Sequence, residues 1–188
     1  TSGVLSVANS EAIDFESNPV FILVVEVQDN GVGNLSDMAN ITIQLNDMNE
    51  QPVIDDQNFV VEETVGNGDL IGIVEASDPD QGQTLTFSII DGNENGAFEI
   101  DPLTGELIVS DNSQLNFSQT PVYYLEVQVM DDGQGSLSDQ ATIAVSNEEI
   151  NQAPNIDNQF FLVDENSPNG VELGFVIASD PDAGQSIT

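Results

Sequence analysis

Apolar and polar residues alternate along this chain in short runs, and the dominant period is two. In residues 122–130, Tyr123, Leu125, Val127 and Val129 fall on one side while Glu126 and Gln128 fall on the other. This is the pattern of a strand with one buried face. Phe21, Leu23, Val25 and Val27 draw it once before, nearer the N-terminus. Val-, Ile-, Leu- and Phe-rich runs at 59–62, 70–76, 84–90, 97–100, 106–110 and 140–146, with the run at 122–130, predict seven strands between residues 52 and 153. Asn67-Gly68, Asp91-Gly92, Asn95-Gly96, Thr104-Gly105 and Asp132-Gly133 stand between the runs, and such pairs accept the backbone of tight turns. No segment carries a helical period with an N-cap and a glycine stop. Seven short strands in about 100 residues predict an all-β fold, a two-sheet Greek-key sandwich of immunoglobulin-like type.

The pattern is written more than once. Shifted by 102 positions the chain lies on itself without a gap: residues 1–86 pair with 103–188, and 37 of the 86 pairs are identical. Ala76-Ser77-Asp78-Pro79-Asp80 recurs as Ala178-Ser179-Asp180-Pro181-Asp182, and Asp29, Gly31, Gly33 and Leu35-Ser36-Asp37 recur as Asp131, Gly133, Gly135 and Leu137-Ser138-Asp139. A period of this length is too long for a solenoid unit and suits one β-sandwich. The short polar segments ending at Pro52 and Pro154 mark the boundaries. The expected organisation is the C-terminal half of one unit in 1–51, a complete unit in 52–153 and the N-terminal part of another in 154–188, a piece of a longer tandem array. Linkers this brief set the loops of one sandwich against those of the next.

Charge narrows the chemistry. The chain holds 34 acidic residues and no Lys, Arg, His, Cys or Trp, a net charge of −34. Nucleic acid is excluded as a direct partner, because phosphate contacts need cations, and anionic membrane surfaces are disfavoured on the same ground. The usual general bases, thiolate nucleophiles, Schiff-base amines and zinc ligands are missing, which argues against an enzyme. Asp14/Glu16 could pair as in a glycosidase, but the next unit carries Asn116/Ser118. An apolar fraction of 39% suffices for packed cores, and no apolar run reaches the ~20 residues of a membrane helix. Like charge at this density repels itself in a compact chain unless cations are bound.

The acidic residues fall into motifs that resemble those of the cadherin repeat, in the form found in large bacterial surface proteins, over essentially the whole chain. Glu165-Asn166, with Glu63-Thr64 one unit earlier, resembles the family's Glu-Asn near the first strand. Asp78-Pro79-Asp80 and Asp180-Pro181-Asp182 resemble its Asp-x-Asp, Ile13-Asp14-Phe15-Glu16 its Leu-Asp-x-Glu, and Asp29 and Asp131 its later Asp. Asp47-Met48-Asn49-Glu50-Gln51-Pro52 is similar to the linker signature, one residue shorter, and Phe98-Glu99-Ile100-Asp101-Pro102-Leu103-Thr104-Gly105 to the Phe-x-Ile-Asp-x-x-Thr-Gly turn. The resemblance implies tandem cadherin-type sandwiches joined end to end, with calcium at the junctions. Calcium takes six to eight oxygens, which several loops must converge to supply. Nothing has the contiguous spacing of an EF-hand, and magnesium suits the pattern less well.

Carried over by motif, the ligands at the first junction are Asp14, Glu16, Asp47, the Asn49 carbonyl, Glu50, Asp78, Asp80 and Asp131. At the second they are Glu63, Glu149, the Asn151 carbonyl, Asp180 and Asp182. There Asn116, Ser118 and Gln152 stand where the first has Asp14, Glu16 and Glu50, so fewer or weaker ions and a more flexible hinge are expected. Without metal the crowded carboxylates repel by ~1 kcal/mol per pair even in bulk water. With it the units form a semi-rigid rod, at affinities on the order of 0.1–1 mM typical of extracellular modules. The resemblance implies an extracellular or cell-surface adhesin whose partners are calcium and another copy, another surface protein or a polysaccharide. A passive stalk presenting a distal domain is the alternative. No Trp is present for strand-exchange adhesion, and no Lys for isopeptide staples.

Overall fold

The computed structural model describes residues 3–62, 64–182 and 185–188. Period-two runs become strands wherever expected, with ends shifted by a few residues. In chain order these are β1 (Val20–Gln28), β2 (Ser36–Gln44), β3 (Gln57–Glu62), β4 (Leu70–Ile73), β5 (Thr86–Asp91), β6 (Phe98–Ile100), β7 (Glu106–Val109), β8 (Val122–Met130), β9 (Ser138–Glu148), β10 (Asn155–Ile156) and β11 (Ala178–Ser179). Strands β3 to β9 build two sheets, one in the order β3-β9-β8-β5 and the other β4-β7-β6. All pairings are antiparallel except β3 with β9, which run parallel from Gln57↔Ile143 to Glu62↔Glu148.

Between the sheets lies the core that the alternation predicts. Leu125, Val127 and Val129 of β8, Ile143 and Val145 of β9, and Leu107 and Val109 of β7 are fully buried. Burying a side chain of this size contributes about 1.5–3 kcal/mol relative to exposure. Tyr123 meets Phe98 edge to face at 5.0 Å between ring centroids. Its hydroxyl donates to the Gln114 carbonyl at 2.6 Å, so an otherwise costly buried polar tip is satisfied. Tyr124 points outward as expected, 64% exposed.

The 102-residue recurrence is structural as well. β1 and β2 pair from Val20↔Gln44 to Gln28↔Ser36, and β8 and β9 pair from Val122↔Ser146 to Met130↔Ser138, each partner 102 positions on. The bridge Val53↔Ser77 returns as Asn155↔Ser179 in the β10–β11 pair. Two single 3-10 turns, Ser10–Ala12 and Asn112–Gln114, keep the same offset. Asn9 and Asp111 cap them. In the middle unit the inner face of β8 is covered by the β4-β7-β6 sheet. The matching residues of β1 are open, with Leu23 37% and Val25 39% exposed. No described helix is long and apolar enough to cross a membrane.

Candidate metal centre at the Pro52 junction

Asp78-Pro79-Asp80 forms a turn because Asp78 Oδ1 accepts the Asp80 NH at 2.8 Å, the local bond that makes Asp a turn residue. The turn drives Asp80 inward until it is 7% exposed. Asp80 Oδ2 accepts the Glu50 NH at 2.7 Å, which ties the linker to the turn. The other oxygens of this pair, Asp78 Oδ2 and Asp80 Oδ1, are buried without any hydrogen-bond partner. A buried unpaired charged oxygen is costly, and acceptor-only oxygens left free of donors suit a cation.

Carboxylates from three separate segments meet here. Glu16, Asp47 and Asp80 each bring an oxygen within 4.8 Å of the others. Glu16 stands between two hollows, one of about 420 Å³ lined by Asp14, Leu45, Met48 and Glu50 among others, and one of about 240 Å³ lined by Phe15, Pro19, Asp47 and Gln81. The bond to its own backbone NH lowers the Glu16 pKa, but partial desolvation, repulsion from Glu50, and the neighbouring Asp14 and Asp47 outweigh it and raise the group above its ordinary value. Asp14 is lowered instead, because the Ser17 hydroxyl and NH donate to it at 2.7 and 3.1 Å.

Asp131 lies in the β8–β9 turn. It is 3% exposed, and its Oδ1 accepts the NH groups of Gly133 at 3.0 Å and Leu137 at 3.1 Å. Its Oδ2 accepts from Asn49 Nδ2 at 3.1 Å, while Asn49 Oδ1 accepts from Gln83 Nε2 at 2.6 Å. Sequence reasoning offered the backbone carbonyl of Asn49 and left Gln83 out. In the structure the side chain of Asn49 bonds Asp131 and Gln83. Gln83 recurs as Gln185 in the repeat register, the one signal that could have found it.

The second junction repeats the frame without the cluster. Asp180 Oδ1 accepts the Asp182 NH at 2.9 Å, Asp182 Oδ2 accepts the Gln152 NH at 2.7 Å, and Gln185 Nε2 donates to Asn151 Oδ1 at 2.9 Å. Asn116 Oδ1 accepts the Gln119 NH at 3.1 Å, which keeps the loop bond that Asp14 makes to Ser17 while giving up the charge. Glu149 and Asn151 are not drawn into any group of three acidic side chains. Among the described residues only Glu16, Asp47 and Asp80 form such a group. Glu63 lies outside the described residues.

Comparison with known proteins gives one consistent picture. Residues 57–146 match the Cadherin domain family. Protocadherin Fat 2 of Mus musculus is 35% identical over 98% of this chain, and protocadherin alpha-4 of Rattus norvegicus 32% over 93%. The chain spans only 4% and 19% of those relatives' own lengths. Among solved structures, extracellular cadherin domains 3-6 of protocadherin gamma B2 superpose with a TM-score of 0.71 at 24% identity, covering 91% of this chain and 45% of that one. The relatives are animal proteins, and the bacterial setting expected from the sequence gains no support from them.

Proposed function

From the match of residues 57–146 to the Cadherin domain family we propose that the chain is a stretch of tandem calcium-binding repeats from an extracellular adhesion protein. The units divide at Pro52 and Pro154. Calcium at the first junction is held by Asp14, Glu16, Asp47, Glu50, Asp78, Asp80 and Asp131, with Asn49 contributing oxygen. At the second junction Glu63, Glu149, Asn151, Asp180 and Asp182 hold it more weakly. One observation carries the reading: the buried, unpartnered oxygens of Asp78 and Asp80 beside the Glu16, Asp47 and Asp80 group. The cation supplies the charge that lets these carboxylates converge. Bound from both sides, it fixes the angle between units and turns a splayed linker into part of a rod. The role is binding and mechanical rather than catalytic, and the partners are another copy, another surface protein or a polysaccharide outside the cell.

Calcium titration of the chain by calorimetry, followed by small-angle scattering, tests this. Saturable uptake with a longer, stiffer particle is expected. An unchanged shape on calcium addition would defeat the reading. Surface-binding assays with and without chelator then separate adhesion from spacing, since a stalk stiffens with calcium but captures nothing.

A further inference from the structure

We propose that Gln83 is a positioning residue of the junction site: its side-chain amide pairs with the Asn49 amide whichever end of that amide faces Asp131. The inference rests on the calcium reading above.

Gln83 Nε2 donates to Asn49 Oδ1 at 2.6 Å, and Asn49 Nδ2 donates to Asp131 Oδ2 at 3.1 Å, so two amides stand in line behind one carboxylate. Gln83 Oε1 is buried and has no partner, a spare acceptor at the end of the line. The packing leaves little slack. A Cβ on Gly133 would overlap the Asn49 side chain and lie 2.6 Å from Gln83 Oε1. The amide pair is also built twice. Gln185 donates to Asn151 at 2.9 Å, although Asn151 Nδ2 there turns to the Gln152 carbonyl at 3.4 Å. Gln185 Nε2 also donates to Asp182 Oδ2 at 3.1 Å.

An amide has a donor end and an acceptor end. Facing a bare carboxylate, Asn49 is best placed with its NH2 inward, in a charge-assisted bond. A cation on Asp131 reverses the preference, since it repels the NH2 and takes an oxygen. Asn49 then turns over and presents its NH2 to Gln83. Gln83 can follow because its own amide, turned over, offers Oε1 in place of Nε2. A hydrocarbon at 83 leaves the turned Asn49 with an unpaired buried donor, and that loss is carried into calcium affinity.

The test is calorimetric calcium titration of the full chain as wild type, Gln83→Leu, Asn49→Ala and the double variant, with thermal unfolding in calcium-free buffer establishing that each is folded. Gln83→Leu is expected to weaken the tightest class of sites about five- to tenfold, the loss of one buried hydrogen bond. Asn49→Ala weakens it at least as much. In the Asn49→Ala background Gln83→Leu changes affinity by less than about twofold, because it acts through Asn49. Gly133→Ala, which displaces both amides and removes no carboxylate, weakens binding in the same direction. In nitrogen-15 spectra of the wild type the side-chain NH2 signals of Asn49 and Gln83 move together on calcium addition. Wild-type affinity in Gln83→Leu, or additive losses in the double variant, overturns the positioning role while the calcium reading stands. A wild-type chain that takes up no calcium overturns both.

Discussion

Acidic side chains do two different jobs in this molecule, and the backbone around each decides which. Asp101 accepts the NH groups of Leu103 and Thr104, both at 2.8 Å, and these bonds hold its carboxyl below the ordinary range. A lowered folded-state pKa means stabilisation present above the unfolded value and lost as pH falls through the folded one. Asp101→Asn is therefore expected to lower the unfolding midpoint at neutral pH in calcium-free buffer, with the difference closing as pH falls below the ordinary carboxylate range. A pH series of thermal melts checks it, and a difference that persists in acid would refute the assignment. Asp78 and Asp80 keep one oxygen each for the turn and linker and leave the other bare. Their place among the candidate ligands came from the resemblance of Asp78-Pro79-Asp80 to the cadherin Asp-x-Asp motif. That the Asn49 side chain bonds Asp131 and Gln83 was not legible there, because a sequence states which atoms a residue owns and not which way they turn. Gln83 was missed for a related reason: a glutamine in a turn-rich polar loop reads as solvated until the packing against Gly133 is seen.

At the level of strands, alternation was a sufficient guide because each buried face is lined by residues two apart. Every expected run carries a strand, and β9 runs longer than expected because it pairs with β3 on one side and β8 on the other. The 3-10 turns escaped the reading, since three residues are too few to show a helical period. One position breaks the strand logic. Asn147 continues the inner face of Ala141, Ile143 and Val145, is 2% exposed, and has no partner for either side-chain polar atom. Its counterpart one unit earlier is Leu45. A buried amide left without partners in an apolar site costs about 1–3 kcal/mol. Asn147→Leu is accordingly expected to stabilise the middle unit by about 1–3 kcal/mol. Denaturant unfolding would measure it, and a destabilised variant would mean that the amide is satisfied in solution.

Across the whole molecule the two junctions share a frame and differ in charge. The turn, the linker bond and the amide pair recur at an offset of 102, from Glu50 NH on Asp80 to Gln152 NH on Asp182. The carboxylates of Asp14, Glu16 and Glu50 do not recur. Asp80→Ala should remove most of the calcium-induced change in scattering profile and most of the calorimetric heat, and Asp182→Ala should remove little of either. Equal losses from the two variants would show the joints to be equivalent. The three substitutions are visible in the sequence, whereas the geometry that makes the first joint a cluster required the fold to bring residues 16, 47 and 80 together.

Strand β3 leads out of the Pro52 linker and β9 leads toward the Pro154 linker, and the two lie side by side in parallel. Tension along the chain therefore draws them in opposite senses and slides one past the other. The register pairs from Gln57↔Ile143 to Glu62↔Glu148 take that load together, as in a lap joint, where a hairpin pulled at its open end would peel one bond at a time. Force applied at its two ends would meet the middle unit in shear.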